Sequence, residues 1–70
     1  MKKNKKQLTI NSNWTADNPI QGWRHYRISG RFYDDGILWL ELMSVCDRTV
    51  VISIEADVFM VDKNWLSGWK

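Results

Sequence analysis

From Tyr26 to Ile54 apolar and polar side chains alternate, and a period of two over that length commits the middle of this chain to antiparallel strands. The first run places Tyr26, Ile28 and Phe32 on one parity, with Gly30 among them, and His25, Arg27, Ser29 and Arg31 on the other. The second runs from about Ile37 to Val45 and the third from about Thr49 to Glu55.

The turns set the expected register. A two-residue Asp35-Gly36 turn would oppose Phe32 to Trp39 and Arg31 to Leu40, mixing arginine with leucines. A three-residue Asp34-Asp35-Gly36 loop, with Gly36 left-handed in a bulge, opposes Phe32 to Leu38, Gly30 to Leu40 and Ile28 to Leu42. The second arrangement segregates the faces and is the expected one. The same test favours an odd loop over Cys46, Asp47 and Arg48, which opposes Leu42 to Ile52 and Leu40 to Ile54. The inner face is then Tyr26, Ile28, Phe32, Leu38, Leu40, Leu42, Val50, Ile52 and Ile54. The outer face is Arg27, Arg31, Trp39, Glu41, Met43, Val51 and Ser53.

The fold class is mainly β: a three-stranded antiparallel meander with a short C-terminal helical turn. Leu8 and Ile10 alternate with Thr9 and Asn11, so a short N-terminal strand can extend the meander into a small barrel-like sheet. Thr15 to Gly22 contains Asp17, Asn18 and the one proline, Pro19, and reads as a loop. Glu55 to Val61 suits a short helix or an extended run. Asp62 can cap a helical turn over Lys63 to Leu66 that Gly68 ends. Val58, Phe59, Trp65 and Trp69, with Trp14, are the expected cover for the greasy face.

Five tryptophans in 70 residues shape the functional reading. A domain this small has core space for about two indoles. The others must cap edges or meet a partner, which favours a binding module over a catalyst. Residues 1–7 form a flexible basic leader and 8–70 a single compact domain. The formal charge is only +2, but Lys2, Lys3, Lys5 and Lys6 crowd the leader and Arg24, Arg27 and Arg31 share one segment. Gln7 to Asn13 is polar where a signal peptide would turn apolar, and no run approaches the length of a membrane helix, so the chain reads as soluble and cytoplasmic.

Catalytic patterns are absent. His25 beside Tyr26 has no orienting carboxylate or nucleophile in a recognisable motif and reads as a histidine making one structural hydrogen bond. One cysteine, Cys46, excludes an internal disulfide; without a second histidine or a resolving cysteine it reads as a small packing residue. Asp34, Asp35 and Asp62 are turn acids, so neither a metal nor a cofactor is expected. The glycines are too scattered to cradle a phosphate.

The sharper hypothesis lies on the outer face. Arg27 and Arg31 beside Trp39, helped by Lys2, Lys3, Lys5 and Lys6, could hold phosphates and stack a base of RNA or single-stranded DNA. Two structural alternatives compete: Arg31 lying on Trp39, or Glu41 neutralising both arginines. The second functional reading is a protein-interaction or self-association module, with a protein partner or a homodimer, using Trp23, Trp39 and Met43.

Two motifs, Trp14-Thr15-Ala16-x-x-Pro19 and Trp65-Leu66-x-Gly68-Trp69-Lys70, carry a family resemblance. The chain resembles the small tryptophan-rich bacterial proteins classed as a domain of unknown function. They share a W-T-A-x-x-P start, an H-Y or H-F pair, here His25-Tyr26, and a W-x-x-G-W ending, and Arg48 follows the central strand as a basic residue often does there. Gly22 and Trp23 depart from that pattern, standing where it tends to carry charges. The resemblance implies one compact domain and no assigned activity.

Overall fold

A computed structural model describes residues 5–70; Lys2 and Lys3 lie outside the described residues. Lys5–Gln7 form a single 3-10 turn. The strands are β1 (Asn13–Ile20), β2 (Trp23–Asp34), β3 (Ile37–Ser44), β4 (Val51–Glu55) and β5 (Trp65–Ser67), and helix α1 (Ala56–Val61) joins the last two. One antiparallel sheet results, in the order β4-β3-β2-β1-β5. The mainly β class holds, and the meander gains a strand on one side and a second beyond it.

Turn chemistry explains the hairpins. Gln21 and Gly22 have φ of 51° and 83°, and Asp35 and Gly36 have 53° and 78°. Positive φ at both central residues suits the right-handed twist of the flanking strands. The β3–β4 connection is held by side chains. Ser44 Oγ accepts the N–H groups of Cys46 and Asp47, both at 3.2 Å, and Asp47 Oδ1 accepts from Thr49 N and Oγ1 at 3.0 and 2.6 Å.

The β3–β4 register is as expected, with Leu42 opposite Ile52 and Leu40 opposite Ile54. The β2–β3 register is not. Phe32 pairs with Trp39 and Arg31 with Leu40, across the two-residue Asp35-Gly36 turn. The parity change is absorbed by a bulge: Ile28 pairs with Leu42 and Gly30 with Glu41, leaving Ser29 extra. Gly30 suits this site, because a Cβ there would lie 3.2 Å from the Glu41 carboxylate. Face segregation therefore holds up to Ile28 and reverses beyond it. The reversal is tolerated because the inner face past Leu40 opens to solvent, where Arg31 and Tyr33 are exposed.

Other local expectations change as well. Leu8 to Asn11 is not a strand; Leu8 is buried in the core while Ile10 is exposed. The expected loop at Thr15 to Gly22 is largely β1, whose irregularity between Thr15 and Ile20 takes up Pro19. Residues 56–61 are helical, since Ala56 and Phe59, three apart, both turn onto the sheet. Trp65–Ser67 is a strand where a helical turn was expected, and Gly68, at φ 81°, turns the chain back after it.

The core lies between the sheet and α1. Phe59 meets Trp14 edge-on at 4.9 Å and Trp65 at 5.3 Å, and Trp65 meets Tyr26 edge-on at 5.5 Å. Of the five indoles, Trp14 and Trp65 are fully buried, matching the expected core capacity. They belong to the sheet and do not form a lid over it. Phe59 is the lid, Val58 is exposed, and Trp69 lies on the opposite face. Trp14 Nε1 donates to Ser12 Oγ at 2.9 Å, whereas Trp65 Nε1 has no partner.

Candidate functional site

Strand alternation defines the outer face as three rows. The first joins Asn13, Arg27, Met43 and Val51; the second holds Gly30, Glu41 and Ser53; the third holds Phe32, Trp39 and Glu55. Asp34 and Ile37 close the row at the hairpin tip. Among the described residues no helix covers these rows, and Phe32, Ile37 and Val51 are exposed.

Among the described residues, those at the C-terminal end cover only the far end of the face. Thr15 Oγ1 donates to the Gly68 carbonyl at 2.8 Å and accepts the Lys70 N–H at 2.9 Å. His25 Nε2 donates to the Lys70 main-chain oxygen at 2.9 Å, a single structural hydrogen bond of the kind expected of it. This hook lays Trp69 over Arg27, whose guanidinium carbon sits 5.5 Å from the ring centre. Arg27 Nε also donates to Asn13 Oδ1 at 3.3 Å, and Trp69 Nε1 donates to the Tyr26 carbonyl at 3.3 Å.

The expected arginine platform is not assembled. Arg31 points to the helix side of the sheet, which removes both its partnership with Arg27 and its stacking on Trp39. It instead lines an open cleft of about 350 Å³ with Leu8, Tyr33, Leu38, Glu55 and Asp57. Lys6 is exposed and Lys5 belongs to the 3-10 turn. Of the second trio, Trp39 and Met43 share the outer face, while Trp23 is half-buried against the core. Val51 stands on that face as expected, and Phe32, Ile37 and Trp69 join it without having been anticipated there. The signal for Phe32 and Ile37 was the Asp35-Gly36 pair, whose turn preference outweighed face segregation.

Cys46 is exposed, which corrects the packing role expected of it. The acids serve turns: Asp62 Oδ1 accepts the Asn64 N–H at 2.9 Å. The Thr49 hydroxyl and N–H hold the Asp47 carboxyl below the usual carboxylate range, and burial pushes the Tyr26 hydroxyl up. Tyr26 donates to the Ile20 carbonyl at 2.7 Å. Among the described residues no group of three His, Cys, Asp or Glu side chains could hold a metal, and no helix is long and apolar enough to cross a membrane.

A model of a tryptophan-rich protein family, DUF2389, matches residues 12–70, from just before β1 through β5 and the hook. The chain belongs to that family. DUF2389 is a family of unknown function, so membership supports the domain and leaves its activity to the surface. Comparison with curated proteins and with solved structures found no match.

Proposed function

We propose that this DUF2389 chain is a non-catalytic protein-interaction domain that docks a partner on the uncovered sheet face. The observation that carries the reading is the Phe32–Trp39 pair, which sets two aromatic side chains side by side on the face that no helix covers. Ile37, Met43 and Val51 continue the apolar surface, and aromatic and methionine side chains are the types that anchor protein interfaces. Asp34 and Glu55 flank it and Glu41 stands between its Trp39 and Met43 rows, so the partner it fits presents apolar groups interleaved with basic ones.

Charge argues against single-stranded RNA as the ligand. Lys2 and Lys3 account for the whole formal excess of +2. The face itself offers Arg27, already engaged by Trp69 and Asn13, against the three carboxylates of Asp34, Glu41 and Glu55. A phosphate chain needs several unopposed cations.

The test is recovery of a bound protein by tagged wild type and by Trp39→Ser, at low and high salt, after nuclease treatment. Recovery of the same protein at both salts, lost with Trp39→Ser, supports the reading. Binding of labelled single-stranded RNA that collapses with salt and survives Trp39→Ser would overturn it.

A further inference from the structure

Strand β4 ends the sheet, and its backbone can be accounted for group by group. Ser44 N donates to the Val50 carbonyl at 3.0 Å, and the pairs Leu42–Ile52 and Leu40–Ile54 continue that register. Hydrogen-bonded pairs recur every second residue, so Ile52 and Ile54 turn their N–H and C=O groups toward β3 as the Val50 carbonyl does, while the Val50 N–H donates to the Asp47 carbonyl at 3.0 Å. Val51, Ser53 and Glu55 therefore turn theirs outward. The Glu55 carbonyl also begins α1, but the N–H groups of all three and the carbonyls of Val51 and Ser53 face away from the sheet.

Sheet edges are usually blunted by lysine, proline or a bulge. The segment Val51-Ile52-Ser53-Ile54-Glu55 has none of these, and its pairing with β3 is regular throughout.

We propose that β4 is a homodimerisation edge, at which two copies of this chain pair antiparallel about a two-fold axis at Ser53 and merge their sheets into one. Span selects this register: an axis at Ile52 or Ile54 also permits pairing but leaves Glu55 or Val51 of each copy without a strand partner, an axis at Val51 or Glu55 would overlap turn or helix, and only an axis at Ser53 pairs all three outward-facing residues of both copies. At Ser53, each copy's Ser53 N–H meets the other's Ser53 carbonyl, and each Glu55 N–H meets the other's Val51 carbonyl. Ile52 of one copy then lies beside Ile54 of the other on the helix side, where both are only half-buried in one chain, so the core continues across the axis.

Charge fits the same arrangement. The strand is preceded by exposed Arg48 and followed by Glu55 and exposed Asp57. Antiparallel pairing sets the basic end of one strand beside the acidic end of the other at both ends. Phe32 and Trp39 lie away from this edge, so the contact is distinct from the docking surface proposed above, although Val51 and Glu55 border both.

The experiment measures oligomeric state by sedimentation across a wide concentration range. Wild type forms a concentration-dependent dimer, and Ser53→Lys, which sets two ammonium groups against each other at an exposed position, is monomeric with an unchanged circular dichroism spectrum. In a Cys46→Ser background, Ser53→Cys crosslinks on mild oxidation, because directly opposed residues of a hydrogen-bonded pair lie roughly 5.5 Å apart. Val51→Cys, which faces Glu55, does not. A wild type that stays monomeric throughout, a dimer that survives Ser53→Lys, or crosslinking no better at Ser53 than at Val51 overturns the proposal. A dimer abolished by Trp39→Ser but not by Ser53→Lys would assign the contact to the outer face and refute the edge.

Discussion

Single residues carry two measurable signatures. Asp47 accepts two hydrogen bonds from Thr49, and these favour its charged form. Its folded pKa lies below the unfolded value, so its contribution is present above the ordinary aspartate pKa and is lost as pH falls through the folded one. Thr49→Val removes the hydroxyl donor, the stronger of the two influences that lower the Asp47 pKa, and should raise the Asp47 titration measured by carboxyl NMR; an unchanged titration would assign the shift elsewhere. Trp65 is 2% exposed and touches both Phe59 and Tyr26. Trp65→Ala should cost about 3–5 kcal/mol in denaturant unfolding, by analogy with other aromatic truncations. Trp65→Phe should cost clearly less, because it keeps a ring in place and removes an indole N–H that has no partner. Equal losses for the two variants would show that the N–H is satisfied in solution.

At the scale of elements, the hairpins are where local and global preferences compete. Gly36 occupies φ 78° at the β2–β3 turn, so Gly36→Ala should destabilise by about 1 kcal/mol or more, read from the unfolding midpoint. The meander and the β3–β4 register were legible because each rests on a period or a turn near in sequence. The placement of Arg31 was not. Its face depends on one extra residue, Ser29, and alternation alone cannot reveal a bulge. Gly30 in mid-strand was the available clue, since a glycine there often marks where a partner's side chain crosses the backbone. Strand β1 was masked by Asp17, Asn18 and Pro19, which sit on its irregular stretch. Strand β5 is three residues long, too short to show a period, and it exists because Asn13 and Asp17 offer it a ladder from β1: Gly68 N donates to the Asn13 carbonyl and Asp17 N to that of Asn64. The candidate site was half legible: Trp39, Met43 and Val51 were placed on the right face, Phe32 was misplaced because face segregation was set above the Asp35-Gly36 turn preference, and the engagement of Arg27 by Trp69 depends on a contact remote in sequence.

For the whole molecule, the sheet order matters most through its last strand. Strands β1 to β4 follow one another through short turns, so each pairing closes a small loop. The β1–β5 pairing is different, because Thr15 and Gly68, which it brings together, are 53 residues apart. Closing so long a loop is entropically slow unless the intervening chain is already compact. The hairpin ladder should therefore form first, with β5 and the C-terminal hook joining after the rate-limiting step. Thr15→Val, which deprives both the Gly68 carbonyl and the Lys70 N–H of their partner, should then speed unfolding while leaving the refolding rate nearly unchanged in stopped-flow measurements. Gly36→Ala, in the early hairpin, should slow refolding instead. If Thr15→Val slowed refolding in proportion to its loss of stability, β5 would belong to the folding nucleus. The edge that closes last is also the edge that opens first, and the lifetime of the native state is set there.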